Sequence, residues 1–407
     1  MIRAIDGGIT APSGFRAAGV ACGIKRAPAA GQPAALDLAL VTAAAPASAA
    51  GVFTTNRAVA APVVLSREQL RRSGGRASAI VINSGCANAC TGAGGDAVAR
   101  QMAEAAAAAV GCAVDEVLVA STGVIGVALD ITKVRAGVAS AARALGVDGS
   151  AAATRAIMTT DPFPKSYAVE VETAHGTFRV GGMAKGSGMI EPRMATMIGV
   201  LTTDAAVAPA VLSRALTRVC DETFNAITVD GECSTNDCVF ALASGVSGVT
   251  VADADISALV EGLRAVAGHL AREIVRGGEG ATKLVTITVT GAASVADARL
   301  AARTVANSPL VKTAIHGGDP NWGRLVAAAG RSGAEFAIGR ASVSIGDVPL
   351  FVMGVPHDER ADDAARVLAN RDITITIDVG AGGSGEATMW TCDLSAEYVR
   401  INGEYRT

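Results

Sequence analysis

The stretch richest in chemistry covers residues 182–204, GMAKGSGMIEPRMATMIGVLTTD. A glycine-rich, irregular segment reaches Pro192 and enters an apolar run at Met194-Ala195-Thr196-Met197. Lys185 stands among small residues in an apolar region, and a buried lysine needs a partner or a task. Thr196 enters the apolar run directly from the small-residue loop. That setting suits a precursor whose threonine hydroxyl attacks the preceding carbonyl and becomes a new N-terminal nucleophile. The same residues also suit a glycine-rich hairpin loop leading into a core strand, with Thr196 only a strand former.

Other chemistries find fewer residues. The histidines are His175, His269, His316 and His357, and none has the setting of a hydrolase base. The eight cysteines form no CxxC. Cys86/Cys90 and Cys233/Cys238 are the close pairs, with no histidine at zinc-site spacing, so they read as reduced, buried thiols. G-x-S-x-G, P-loop and HExxH patterns are missing. Residues 380–385 fit G-x-G-x-x-G, but they lead from one strand to another and read as a hairpin turn. In Gly277-Gly278-Glu279-Gly280 the glutamate has the wrong charge for a phosphate loop.

The elements that must hold these groups alternate along the chain. Residues 79–83 and 116–121 read as buried strands, with an Ala-rich helix over about 96–110 between them. Residues 165–173 and 177–182 flank Ala174-His175-Gly176 as a hairpin. Residues 195–203 read as a buried strand, and 209–220 and 255–275 as helices. Residues 283–290, KLVTITVT, alternate strictly and predict a strand. Then come a helix over 295–306, an extended run over 310–315, a helix over 322–329, and strands over 373–380 and 387–392. In the last turn-rich run Asp319 reads as a helix cap, Pro320 as its first turn and Trp322 as its anchor. Asn225 and residues 230–237 read as turn and support residues. The pattern predicts an α/β (α+β) fold of layered mixed sheets and helices, without a repeat of 20–50 residues.

Composition narrows the classes further. The chain has 407 residues, 50% apolar, 18% charged and 3% aromatic, with a net charge of −3. So apolar a chain buries a large core and is not disordered. Near charge balance argues against a general polyanion-binding surface. The apolar runs are short or broken by charge and proline, and the first ten residues lack a signal-peptide core, which points to the cytoplasm.

The residues 185–197, KGSGMIEPRMATM, resemble the self-cleavage motif of the ornithine acetyltransferases (glutamate N-acetyltransferases) of the cyclic arginine pathway. The resemblance extends over nearly the whole chain. It includes Thr10-Ala11-Pro12-Ser13-Gly14-Phe15, Gly51-Val52-Phe53-Thr54-Thr55-Asn56 and Asn83-Ser84-Gly85-Cys86-Ala87-Asn88. It continues through Ser121-Thr122-Gly123-Val124-Ile125-Gly126, Met158-Thr159-Thr160-Asp161, Ser234-Thr235-Asn236-Asp237 and Asp319-Pro320-Asn321-Trp322-Gly323-Arg324. It ends at Tyr398-Val399-Arg400-Ile401-Asn402. Departures from the family's usual residues fall at Cys86, Glu191, Arg193, Cys233 and Cys238.

The resemblance implies a cut between Ala195 and Thr196, giving an alpha fragment, 1–195, and a beta fragment, 196–407. It implies an ornithine-acetyltransferase-like fold and N-terminal-nucleophile chemistry. Thr196 is then the nucleophile, and Thr122 and Gly123 form the oxyanion hole. Thr159, Lys185, Thr196, Glu279, Asn402 and Thr407 contact the substrate, with Thr160 an equal chemical candidate beside Thr159. The implied reaction passes acetyl from N-acetylornithine to glutamate through acetyl-Thr196, without metal or organic cofactor. Acetyl-CoA stays open as a second donor. The implied assembly is a heterotetramer of two alpha and two beta fragments, with no nucleic acid and no membrane as partner. An N-terminal-nucleophile amidase or aminopeptidase is the alternative, differing in passing the acyl group to water.

Overall fold

A computed structural model describes residues 1–25, 33–191, 197–252 and 256–404. Pro192, Arg193, Ala195, Thr196 and Thr407 therefore lie outside the described residues, and with them both sides of the expected cut. The described chain is mixed α/β, as the alternation predicts. It divides into two compact units. The first comprises Met1–Asn225 and Glu232–Ile274, the second Ala226–Gly231 and the chain from Val275 onward.

The first unit is built on a nine-stranded mixed sheet. Its strands lie in the order Ile2–Ile5, Lys165–Thr173, Gly176–Lys185, Ile198–Thr203, Cys238–Ala243, Leu38–Phe53, Arg76–Cys86 and Val117–Val124. Phe15–Val20 pairs alongside Leu38–Phe53. The apolar run over 79–82 is continuous because both faces are covered. Ile80 and Ile82 pack with Ala153, Ala156 and Ile157 on one face. Ala79 and Val81 pack with Met102, Ala103, Val134 and Val138 on the other. Those partners on the second face come from the helices Gly92–Val110 and Ile131–Arg143. The hairpin expected over 165–182 forms and runs on to Lys185, with Thr173 opposite Gly176 and Lys165 opposite Ala184. Gly176, at φ +122°, takes the turn conformation that a side chain would resist.

The second unit holds a six-stranded sheet. Its order is Val355–Pro356, Val348–Val352, Ser342–Ile345, Asp372–Asp378, Leu284–Ala292 and Gly385–Cys392. Val285, Ile287 and Val289 point into the core while the intervening threonines stay half-buried, which is the alternation read from KLVTITVT.

Three expectations change here. Residues 310–315 are not extended; they lie in the helix Pro309–Gly317. Pro309 at its first turn starts the helix, and Val311, Ala314 and Ile315 bury at helical spacing, which overrides their strand propensity. The glycine-rich run over 380–385 is not a hairpin turn. The strands it joins both flank Leu284–Ala292, one parallel and one antiparallel, so it crosses over the end of that strand. The cap of the helix Trp322–Gly330 is Asn321, whose side chain accepts from Arg324 N, not Asp319. Trp322 does anchor it, stacking on Phe351 at 4.9 Å. Beyond the last strand, Ala396–Glu404 is a helix, braced by Arg400 pairing with Glu397 and Glu404.

Of the cysteines, Cys86, Cys220, Cys238 and Cys392 are buried as expected, whereas Cys90 is exposed. Among the described residues no helix is long and apolar enough to cross a membrane.

Candidate active site

Thr122 and Gly123 sit at the end of the strand Val117–Val124, where it runs parallel to Arg76–Cys86. The buried Ser121 hydroxyl donates to Asn83 Oδ1 at 2.6 Å, and Asn83 Nδ2 donates to the Cys86 carbonyl at 2.8 Å. These bonds tie the two strand ends together. Gly123 then passes so close that a Cβ would stand 2.3 Å from the Gly85 carbonyl carbon. At φ +127° it also holds a conformation that favours glycine. Only glycine at this position lets the two backbones meet.

Lys185 closes the strand Gly176–Lys185 and is 2% exposed. Its Nζ donates to Thr122 Oγ1 at 3.3 Å. Its strand pairs antiparallel with Ile198–Thr203, placing Lys185 opposite Ile198. The chain following residue 196 thus enters the sheet beside Lys185. The strands on either side of this segment are thus antiparallel neighbours, and the expected buried lysine is present.

Asp161 is the anion of this cluster, and residue-type reasoning gave it no role. Its Oδ1 accepts from Lys165 Nζ at 2.6 Å and from Gly186 N at 2.7 Å. Its Oδ2 accepts from Thr159 N at 3.0 Å, which brings the expected substrate residue Thr159 into the same network. Burial alone would raise the Asp161 carboxyl. Lys185 and Lys165, with the Gly186 N–H, outweigh it and hold the group at about 2. Asp161 thus pairs directly with Lys165 and feels the charge of Lys185 at longer range.

The turn before the strand Cys238–Ala243 connects these pieces. Asn236 Nδ2 donates to the carbonyls of Ser121, at 2.9 Å, and Ala87, at 2.6 Å. Asp237 Oδ1 accepts from Met197 N at 2.8 Å, and Cys238 N donates to the Met197 carbonyl at 3.2 Å. Adjacent residues of one turn therefore hold the neighbour of Thr122 and the neighbour of Thr196. Burial pushes the Asp237 carboxyl well above its ordinary range, against the Met197 N–H and the charge of Lys185. The support role read for residues 230–237 has this specific form. Asn225, read likewise, donates to Asp221 Oδ1 at 3.0 Å.

The second unit brings another expected pair together. Glu279 is buried, and its Oε2 accepts from Asn402 Nδ2 at 2.9 Å. Gly280, at φ +68°, lies so near the chain-end helix that a Cβ would stand 2.4 Å from Tyr398 N. Ser395 Oγ closes the contact by donating to the Gly280 carbonyl at 2.6 Å. Ala195, Thr196 and Thr407 lie outside the described residues.

The model of the ArgJ family matches residues 16–407 of this chain. The arginine biosynthesis bifunctional protein ArgJ of Symbiobacterium thermophilum is 51% identical over 408 residues, covering 99% of both chains. The protein of the same name from Chlorobaculum tepidum is 49% identical, covering 97% of this chain and 96% of its own. Among solved structures, the ornithine acetyltransferase of Mycobacterium tuberculosis complexed with ornithine is 45% identical. It covers 47% of this chain and 98% of that chain, with a TM-score of 0.41.

Proposed function

The chain belongs to the ArgJ family, and from that premise we propose that it transfers acetyl from N2-acetyl-L-ornithine to L-glutamate. The transfer runs through an acetyl ester on Thr196, after the chain has cut its own Ala195–Thr196 bond. The observation that carries this reading is the meeting of Thr122 and Lys185 beside the point where the chain after residue 196 enters the sheet.

In the cut, the Thr196 hydroxyl attacks the Ala195 carbonyl carbon. The C–N bond breaks, the hydroxyl proton ends on the nitrogen, and water hydrolyses the resulting ester. The tetrahedral carbon carries a charged oxygen, which the Thr122 hydroxyl and the Gly123 N–H stabilise. Lys185 fills an acceptor position on Thr122 Oγ1 and so turns its hydrogen elsewhere. The new α-amine, with a reference pKa of about 7.7–8.0, then serves as base for the hydroxyl beside it. No histidine is needed.

In the transfer, the same hydroxyl takes acetyl and releases ornithine. The glutamate amine then attacks the ester and leaves as N-acetylglutamate. Lys185 receives the substrate carboxylate and Glu279 the ammonium of ornithine, with Thr159, Asn402 and Thr407 giving neutral hydrogen bonds. No metal or organic cofactor enters this route. The proposed cut falls between Gly176–Lys185 and Ile198–Thr203, which are neighbours in one sheet. Fragments 1–195 and 196–407 therefore stay joined by that ladder after cleavage, and two of each make the proposed heterotetramer. The relatives are named bifunctional, and acetyl-CoA stays open as a second donor.

The test is chemical. Incubation with N-acetylornithine alone should add one acetyl group to the fragment beginning TMIGV, read by mass spectrometry. Kinetics with both substrates should be ping-pong. Full activity in an uncut chain of 407 residues would sink the mechanism. Acetate as the main product in the presence of glutamate would favour an amidase. Product formation from acetyl-CoA and glutamate alone decides the second donor.

A further inference from the structure

Asp237 is more elaborately placed than a turn residue requires. It is fully buried at the start of the strand Cys238–Ala243. Its own carbonyl accepts from Thr54 N at 3.0 Å, which fixes the backbone. Its Oδ1 holds the Met197 N–H at 2.8 Å. Its Oδ2 is buried and has no hydrogen-bond partner among the described residues. An unpaired buried carboxyl oxygen costs stability, on the order of 1–3 kcal/mol. An oxygen kept at that cost calls for a partner that arrives later.

Resting on the reading of self-cleavage above, we propose that Asp237 is the positioning residue for the new N-terminus. Oδ1 holds the Met197 N–H, and Oδ2 receives the α-amine that cleavage creates on Thr196, the residue just before Met197. The atoms balance. The Ala195–Thr196 C–N bond breaks, the threonine hydroxyl proton passes to the nitrogen, and water restores the hydroxyl by splitting the ester. The amine then has hydrogens to give that the peptide nitrogen lacked. The new amine gives Oδ2 a polar partner that the uncut chain lacks, which favours the carboxylate form of Asp237 over the neutral form that burial favours. In the neutral amine, a hydrogen given to Oδ2 leaves the lone pair toward the threonine oxygen, and the carboxylate favours the ammonium formed when that lone pair takes the hydroxyl proton.

Lys185, with the strand Ile198–Thr203 between its own strand and that of Asp237, is the charged group that acts on Asp237; the Ser234 N–H acts on the same carboxyl, and the next residue, Cys238, is a buried thiol. Lys185 opposes protonation of the amine, whereas a carboxylate at Oδ2 favours it. Asp237→Asn keeps an acceptor for Met197 N–H and places an amide in place of the carboxylate. Its acid limb of kcat/KM for N-acetylornithine should move to lower pH by about one unit or more. An acid limb superimposed on that of wild type overturns the proposal. If the variant fails to fold or to cut, a crystal structure of cut wild-type enzyme decides. Oδ2 within about 3.2 Å of Thr196 N supports it, and Oδ2 bonded instead to another group overturns it. Active wild-type enzyme that remains uncut would overturn the functional reading itself. A cut enzyme with an unmoved pH profile removes only the role of Asp237.

Discussion

Lys185 Nζ donates to Thr122 Oγ1 at 3.3 Å, joining the ends of two strands that four others separate in one sheet. The ammonium does two things by standing there. It fills an acceptor position on the hydroxyl, and it adds positive charge next to the position where an oxyanion would form. A threonine whose acceptor side is filled from one direction presents its hydrogen to another, which is what an oxyanion donor requires.

Thr122→Ala should therefore slow both reactions that pass through a tetrahedral oxygen. A fall in kcat of on the order of 10²-fold or more is expected, with slower appearance of the cut fragments. Thr122→Ser should retain most of both rates because it keeps the hydroxyl. Gel quantification of cutting and steady-state kinetics check this. Unchanged rates in Thr122→Ala would place the oxyanion donors elsewhere.

The cut should leave fragments of 195 and 212 residues, about 19 and 21 kDa by length share. Thr196→Ala should stay uncut and inactive. Under native conditions the wild-type fragments should co-migrate, because the strands on either side of the cut share one hydrogen-bonded ladder. N-terminal sequencing and native mass spectrometry test the two halves of this expectation separately.

Asp161 makes stability depend on acid. Burial opposes its charge, but Lys185 and Lys165 hold its folded carboxyl at about 2, below the ordinary carboxylate value. The depressed folded value means the contribution is complete above the unfolded pKa near 4. It is lost as pH falls from about 4 through 2, and amounts to on the order of 2 kcal/mol. Asp161→Asn should be destabilised at neutral pH by roughly 3–5 kcal/mol, since Lys165 is left buried without its anion. Thermal melts of both proteins should draw together as pH falls from about 4 and converge toward 2. A gap that stays constant with pH would show that Asp161 acts through packing alone.

Much of this was legible in the chain because periodicity reports burial directly. The run over 79–82 is apolar throughout because helices cover one face and a buried layer the other. KLVTITVT alternates because one face is half-buried. The buried Lys185 was legible from its apolar neighbours. The misreadings share a cause. Residues 310–315 contain strand formers, yet Pro309 and the spacing of Val311, Ala314 and Ile315 fit a helix. The glycine-rich 380–385 run looked like a hairpin because sequence neighbours were taken as spatial ones. The roles of Asp161, Asn236 and Asp237 depend on partners from other strands. Asp237 meets Met197 from 40 residues away, and Asn236 meets Ser121 from 115. No local pattern encodes which carbonyl or amide will be there.

The chain end offers the sharpest separation of roles. Tails usually fray and tolerate deletion, but here Asn402 lies on a helix whose start is locked to Gly280 through Ser395 Oγ. Asn402 Nδ2 gives one bond to Glu279 Oε2 at 2.9 Å and another to the Tyr398 carbonyl at 3.1 Å. The first orients a buried carboxylate, and the second tethers the amide to its own helix. Asn402→Ala should therefore leave Glu279 less fixed and raise KM for N-acetylornithine, by roughly ten-fold if one hydrogen bond to a charged group is lost. Autoproteolysis should be unaffected, since the groups proposed for it, Thr122, Gly123 and Thr196, are different residues. Deleting residues 405–407 keeps the Asn402–Glu279 pair and the Arg400–Glu404 brace but removes Thr407, so it tests the last three residues apart from the helix. It should raise KM and divert acetyl to water, because an ester less shielded from solvent hydrolyses more readily. Parallel assays of acetate and N-acetylglutamate measure the partition. If the truncated enzyme keeps wild-type KM and partition while Asn402→Ala does not, Thr407 has no substrate role and the helix acts through Glu279 alone.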